Sequence, residues 1–169
     1  NALLLGMGER YDVLVTLGDG AFPLVASAEG KDGQAFAVVR TASGGTPSPA
    51  AVPELGGRVL TVRDLRPVDE VRLSAHPVDR RHPFVLGGAM SPYRWTVNGR
   101  AHPDSEPLPV RQGERVRLEV TNMSMMFHPV HLHGHTFAVA GSGIRKDTVI
   151  VRPMQRVLLD LEADNPGQW

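Results

Sequence analysis

Two segments settle the fold class by their period alone. In "GERVRLEVTN" (113–122), Val116, Leu118 and Val120 alternate with charged residues, and in "MQRVLLDLEAD" (154–164) Val157, Leu159 and Leu161 do the same. A period of two places one set of side chains on a core face and the other in water, as in a half-buried strand. "RYDVLVTL" (10–17) alternates as well, with Tyr11, Val13 and Val15 on one face. "FPLVASAEG" and "QAFAVVRT" follow, separated by the turn-forming "GKDG". "RVLTVRD" (58–64), "VRLSA" (71–75) and "YRWTVNGR" (93–100) resume the pattern, the last reaching Asn98-Gly99, a tight-turn pair. No helix-period segment stands out. Many short strands punctuated by glycine and proline predict an all-β sandwich or barrel.

Composition narrows the function classes. The 18 basic and 18 acidic side chains cancel, so no basic field exists for nucleic acid or an anionic membrane surface. No apolar run approaches the roughly 20 residues of a membrane span. The chain has no cysteine, which excludes disulfides, thiolate ligands and thiol nucleophiles within it. Residues 43–57, "SGGTPSPAAVPELGG", carry no periodicity and read as a linker. The chain begins with Asn1 and shows no signal-peptide pattern, so a processed or excised piece is expected.

Four of the seven histidines fall within "HPVHLHGH" (128–135). On strand alternation, His131, His133 and His135 share one face. Pro129 suits a bend that sends His128 elsewhere. One segment could then serve more than one metal, and imidazole suits copper, zinc, iron and nickel alike. The H-x-H-x-D-H pattern of zinc hydrolases needs an aspartate where Gly134 stands, and the H-E-x-x-H helix of metalloproteases is absent. His76, His82 and His102 stand in loop-like, proline-flanked sequence and receive no role. Met123, Met125 and Met126 precede the cluster, and methionine more often fills core gaps than binds metal.

"HPVHLHGHTF", preceded by "TNMSMMF" and followed by "KDTVIVRPMQRVLLDLEADNPGQW", resembles the late part of a multicopper oxidase of the laccase-like, three-domain type. "LLLGMGERYDVLV" through "FAVVRT" is similar to the end of the middle cupredoxin domain, and "YRWTVNGR" with "LPVRQGERVRLEVTN" to the opening of the last. The resemblance implies a cupredoxin-like Greek-key β-sandwich or barrel over residues 58–169, incomplete at its C-terminus. It also implies a linker over 43–57 and the last strands of a second cupredoxin domain over 1–42. It assigns His128 to type 1 copper, His131 to type 2 and His133 to the type 3 pair. His135 and Asp147 are expected to support the ligands by hydrogen bonding. By the resemblance, the family's other ligands come from two H-x-H motifs in its first domain and from a final H-C-H segment, both expected to lie outside this sequence, which has no cysteine. All three copper sites are therefore expected to be incomplete within the chain, and the isolated chain is expected to be inactive.

The parent enzyme would couple one-electron oxidation of a small reducing substrate to reduction of dioxygen to water. Its address, by resemblance, would be secreted or periplasmic. The expected partners are the remainder of the parent or another chain, a second copy included, covering open strand edges. The alternative is a non-catalytic copper- or zinc-binding β module using the same histidines.

Overall fold

The computed structural model describes residues 2–50 and 52–169; Asn1, and Ala51 within the proposed linker, lie outside the described residues. Twelve strands follow in order: β1 Ala2–Leu3, β2 Ala21–Ser27, β3 Gln34–Arg40, β4 Val59–Leu60, β5 Arg80–Met90, β6 Tyr93–Val97, β7 Arg115–Asn122, β8 His128–His131, β9 Phe137–Val139, β10 Arg145–Lys146, β11 Thr148–Val151 and β12 Arg156–Glu162. The described helical elements are two single 3-10 turns, Pro53–Gly56 and Asp69–Val71.

The chain divides into two compact units. The first takes the residues up to Leu4 together with Tyr11–Leu60, and the second takes Leu5–Arg10 with Thr61–Trp169. In the first unit β2 and β3 form an antiparallel hairpin, and β1 pairs parallel with β4. Residues 10–17 form no strand, which corrects the expectation drawn from their alternation. Val13, Leu14 and Val15 are all exposed. Alternation marks a surface ready to pair, and no described strand pairs with it. "RVLTVRD" is a strand only at Val59–Leu60, and "VRLSA" is not one.

The second unit is built on a six-stranded sheet of order β10-β9-β12-β7-β5-β6, with β8 and β11 as a separate antiparallel pair. Register explains why β7 and β12 were legible. Val157, Leu159 and Leu161 lie opposite Val120, Leu118 and Val116, and all six are buried. Burying each such side chain contributes about 1.5–3 kcal/mol relative to exposure. On the opposite face Arg117 lies across from Asp160 and makes a two-pronged ion pair with it at 2.6 and 2.7 Å. Phe137, Val149 and Val151, all with no exposed surface, complete the core.

Sequence reading missed the longest strand, β5. Pro83 and the Gly87-Gly88 pair hide its alternation, and His82 belongs to this strand rather than to a loop. Pro83 is tolerated because β6 pairs with β5 only from Leu86 onward. Beyond the end of β6, the Asn98 side chain takes over: its Oδ1 accepts from the Val85 N–H at 2.8 Å and its Nδ2 donates to the Pro83 carbonyl at 3.0 Å. Asn98 and Gly99 have φ of 50° and 80° and form the expected tight turn, closed by a Val97–Arg100 bridge.

At the start of β5, Arg80 donates to both Glu114 carboxylate oxygens at 2.7 and 2.6 Å. That guanidinium, and next the Arg111 N–H, hold the Glu114 carboxyl at about 2, below its ordinary 4.5. A carboxyl lowered on folding stabilises above its ordinary value, and the benefit disappears as pH falls from there through about 2. Wild type and Glu114→Gln should therefore differ in Tm at neutral pH and converge in acid. Thermal melts across that window check this, and a gap that acid leaves unchanged would refute it.

Candidate metal centre

The histidine segment is a strand followed by a turn. β8 pairs antiparallel with β11, placing His128 opposite Val151, Pro129 opposite Ile150 and His131 opposite Thr148. Pro129 thus lies inside the strand, and the bend falls earlier, at residues 124–126, before His128. His128 and His131 are three apart on one strand, so the pleat itself sends them to opposite faces. The strand ends at His131, and His133 and Gly134 form a turn. The shared face expected for His131, His133 and His135 therefore does not come from strand alternation. The turn nevertheless brings the His131 and His133 rings together, with centroids 5.1 Å apart and planes at 64°.

His128 is half-buried, and its pKa is lowered by desolvation. The Trp95 indole of β6 meets it edge-on at 5.0 Å. Its Nε2 lies 2.7 Å from Ser124 Oγ. Asn122 fixes the direction of that bond. Its Nδ2 donates to the carbonyls of Met126, Val151 and Arg152, so its Oδ1 must accept, and it does so from the Ser124 N–H and hydroxyl. Where the Ser124 proton goes to Asn122, His128 Nε2–H donates to Ser124 Oγ. Nδ1 then keeps its lone pair.

His131 is held the opposite way round. Its Nδ1 lies 3.0 Å from the Asp147 backbone carbonyl and 2.9 Å from Thr148 Oγ1. A carbonyl can only accept, so Nδ1 carries the proton and Nε2 the lone pair. Asp147, half-buried, has its carboxyl lowered first by the Arg10 guanidinium, which donates to Oδ2 at 2.6 Å. His135 has a buried side chain whose Nε2 makes no hydrogen bond and lies 3.9 Å from an Asp164 oxygen. Its Nδ1 lies 3.4 Å from the His133 carbonyl. The C-terminal segment covers this turn: Asn165 donates to the Gly134 carbonyl, and Trp169 donates to the Asn165 carbonyl, both at 2.9 Å. A Cβ on Gly134, whose φ is 67°, would run into the Trp169 indole.

His128 and His131 each have one ring nitrogen tied down and the other left with its lone pair, the state in which imidazole binds a metal. They fit as copper ligands one by one. Among the described residues no group of three or more His, Asp or Glu gathers into a metal-holding arrangement. Met123, Met125 and Met126 are exposed and fill no core gap. Sequence reasoning missed Asn122, Ser124, Trp95, Thr148 and Arg10. Only "TNMS" carried a signal, an asparagine falling on the buried face just where β7 ends.

The family model described as multicopper oxidase matches residues 76–169. The chain is 48% identical to the multicopper oxidase MmcO of Mycobacterium tuberculosis over 174 aligned residues, covering all of this chain and 34% of that protein. It is 35% identical to a copper resistance protein A homolog of Pseudomonas syringae over 68% of this chain and 20% of that one. Among solved structures, a multicopper oxidase from Campylobacter jejuni described as a metallo-oxidase superposes with a TM-score of 0.61 at 16% identity, over 90% of this chain and 37% of that one. The likeness shows the fold, a cupredoxin-like β-sandwich with almost no helix. This chain spans about a third of the length of MmcO. The domain match and the identity to MmcO agree: the chain belongs to the multicopper oxidase family.

Proposed function

We propose that this chain is the part of a multicopper oxidase that supplies one histidine to each copper class: His128 to type 1, His131 to type 2 and His133 to the type 3 pair. One observation carries the reading. A single short strand presents His128 on one face, against Trp95 and Ser124, and His131 on the other, beside the His133 ring. A rigid ladder between two ligands of different coppers couples an electron-accepting centre to an oxygen-reducing one at a fixed separation.

Bound copper supplies the electron transfer, coupling one-electron oxidation of a small reducing substrate to four-electron reduction of dioxygen to water. The chain's own residues orient the imidazoles. Ser124 keeps the His128 proton on Nε2, the Asp147 carbonyl and Thr148 keep the His131 proton on Nδ1, and Trp95 excludes water from one edge of His128. The remaining ligands come from the rest of the parent protein. The same remainder covers the exposed apolar surface of the first unit, including Leu14, Leu24 and Phe36. An extracytoplasmic address accords with the family; no described helix is long and apolar enough to cross a membrane.

The isolated chain acts at most as a metal-binding β module. Loaded with copper(II), it should show no intense thiolate-to-copper absorption, because it has no cysteine. Its oxygen uptake with a general laccase substrate should stay at the level of free copper. In the full-length parent, His128→Ala should abolish the intense visible band and spare the other coppers, and His131→Ala should do the reverse. A blue isolated chain, or a parent whose band survives His128→Ala, would overturn the assignment.

A further inference from the structure

Residues Leu5–Arg10 belong to the second unit although they interrupt the first in sequence, between Leu4 and Tyr11. They form a turn in which the Glu9 N–H donates to the Gly6 carbonyl and the Gly6 N–H donates to Glu9 Oε2, both at 3.0 Å. The turn lies hard against the histidine strand and its partner. A Cβ on Gly6 would stand 3.3 Å from the Cβ atoms of Pro129 and Ile150. The buried Glu9 carboxylate lies 3.5 Å from Lys146 Nζ, which also donates to the Arg10 carbonyl at 2.6 Å. Beside this pair, Arg10 Nη2 donates to Asp147 Oδ2 at 2.6 Å.

The hydrogen bonds of Arg10 and of His131 converge on the Asp147 carboxylate, Arg10 donating to it directly and His131 through the Thr148 hydroxyl. Asp147 Oδ1 accepts from the Thr148 hydroxyl at 3.1 Å. Thr148, which is 2% exposed, can then offer only a lone pair to His131 Nδ1, 2.9 Å away. The Asp147 backbone carbonyl is a second acceptor for the same N–H at 3.0 Å. Had the Thr148 proton pointed at the imidazole, it would have favoured the other tautomer and opposed the carbonyl. The ion pair with Arg10 is largely exposed and contributes little stability by itself. Its effect is to hold the carboxylate in the orientation that captures the Thr148 proton.

We propose that Arg10, Asp147 and Thr148 are positioning residues that lock His131 as its Nδ1–H tautomer, so that Nε2 presents its lone pair outward. The consequence for copper rests on the reading of His131 as a ligand, but the tautomer itself does not. Asp147 is the pivot, because its backbone oxygen and its carboxylate act on the same nitrogen by separate routes.

The test uses the metal-free 169-residue chain, labelled with nitrogen-15, and long-range proton–nitrogen correlations of the His131 ring at a pH where imidazole is neutral. The wild type should be dominated by the Nδ1–H form. Asp147→Ala frees the Thr148 hydroxyl to compete as a donor and should lower the Nδ1–H to Nε2–H ratio by about tenfold, the worth of one hydrogen bond. Adding Thr148→Val to Asp147→Ala removes the competitor and should restore the ratio, which loss of general stability would not do. Arg10→Gln, a change at an exposed side chain, should shift the ratio in the same direction by a smaller factor. An Nε2–H wild type, a ratio insensitive to Asp147→Ala, or no recovery in the double variant would each overturn the proposal. Paramagnetic broadening of the His131 ring signals by added copper(II) decides the ligand assignment separately, so the two readings fail independently.

Discussion

Replacing Asn122 with leucine should destabilise the chain by about 3–5 kcal/mol, although it swaps a polar core residue for an apolar one of similar size. Asn122 has no exposed surface and sits at the end of β7 on the core face. Its amide donates to the carbonyls of Met126, Val151 and Arg152, at 2.7, 3.1 and 3.0 Å, and its Oδ1 accepts from the Ser124 backbone N–H and hydroxyl at 2.9 and 2.8 Å. Leucine removes all of these bonds at once: the Arg152 carbonyl keeps the Gln155 N–H and the Ser124 hydroxyl keeps His128, but the Ser124 N–H loses its partner, and each orphaned buried group costs about 1–3 kcal/mol. Relaxation of the Met123–Phe127 loop, several of whose residues are exposed, recovers part of that cost. The same relaxation moves Ser124, the hydrogen-bond partner of His128 Nε2. Stability and the orientation of His128 should therefore fail together. Urea unfolding of wild type and variant measures the first, and the His128 ring signals report the second. A variant within about 1 kcal/mol of wild type would show that Asn122 is a passenger, since surface-like substitutions fall in that range.

The sequence was informative wherever a strand obeyed its own period. β7 and β12 alternate cleanly because each has a core face and a charged face, and Arg117 and Asp160 even lie opposite one another. β5 was invisible because Pro83 and two glycines replace the expected pattern, and its pairing is supplied partly by the Asn98 side chain. Residues 10–17 failed the other way: the alternation is real, but no described strand pairs with it. The histidine segment was recognisable by residue type, whereas its geometry was not. Gly134 ends the strand character that alternation presumed, and opposite strand faces, not a proline bend, separate His128 from His131. Arg10 could not have been placed at all. Its partner Asp147 is 137 residues away, and no local spacing encodes a contact at that distance.

Gly88 should be the least replaceable glycine of the described second unit, and Gly88→Ala should cost about 2–5 kcal/mol, combining overpacking with backbone strain. It lies opposite Trp95 in the β5–β6 register and has φ of 134°, a conformation that side-chain-bearing residues avoid. A Cβ there would collide with the Arg94 carbonyl oxygen, stand 2.9 Å from Trp95 Cα and press on the indole at 2.7 Å. Two of those three atoms are backbone, so no rotamer change relieves them. Gly87→Ala provides the contrast. Its Cβ would meet only Thr96 Oγ1 at 3.1 Å, a side-chain atom that can rotate away. Because the Trp95 indole packs against His128, the damage at Gly88 should reach the histidine strand by displacing the ring. Tryptophan emission reads this directly in a Trp169→Phe background, where Trp95 is the only indole left. The expected result is a red shift and a lowered melting temperature for Gly88→Ala, with Gly87→Ala close to its parent. Equal behaviour of the two variants would mean that the hairpin accommodates a side chain at Gly88, and that Trp95 is held over His128 by something other than the absence of a Cβ beneath it.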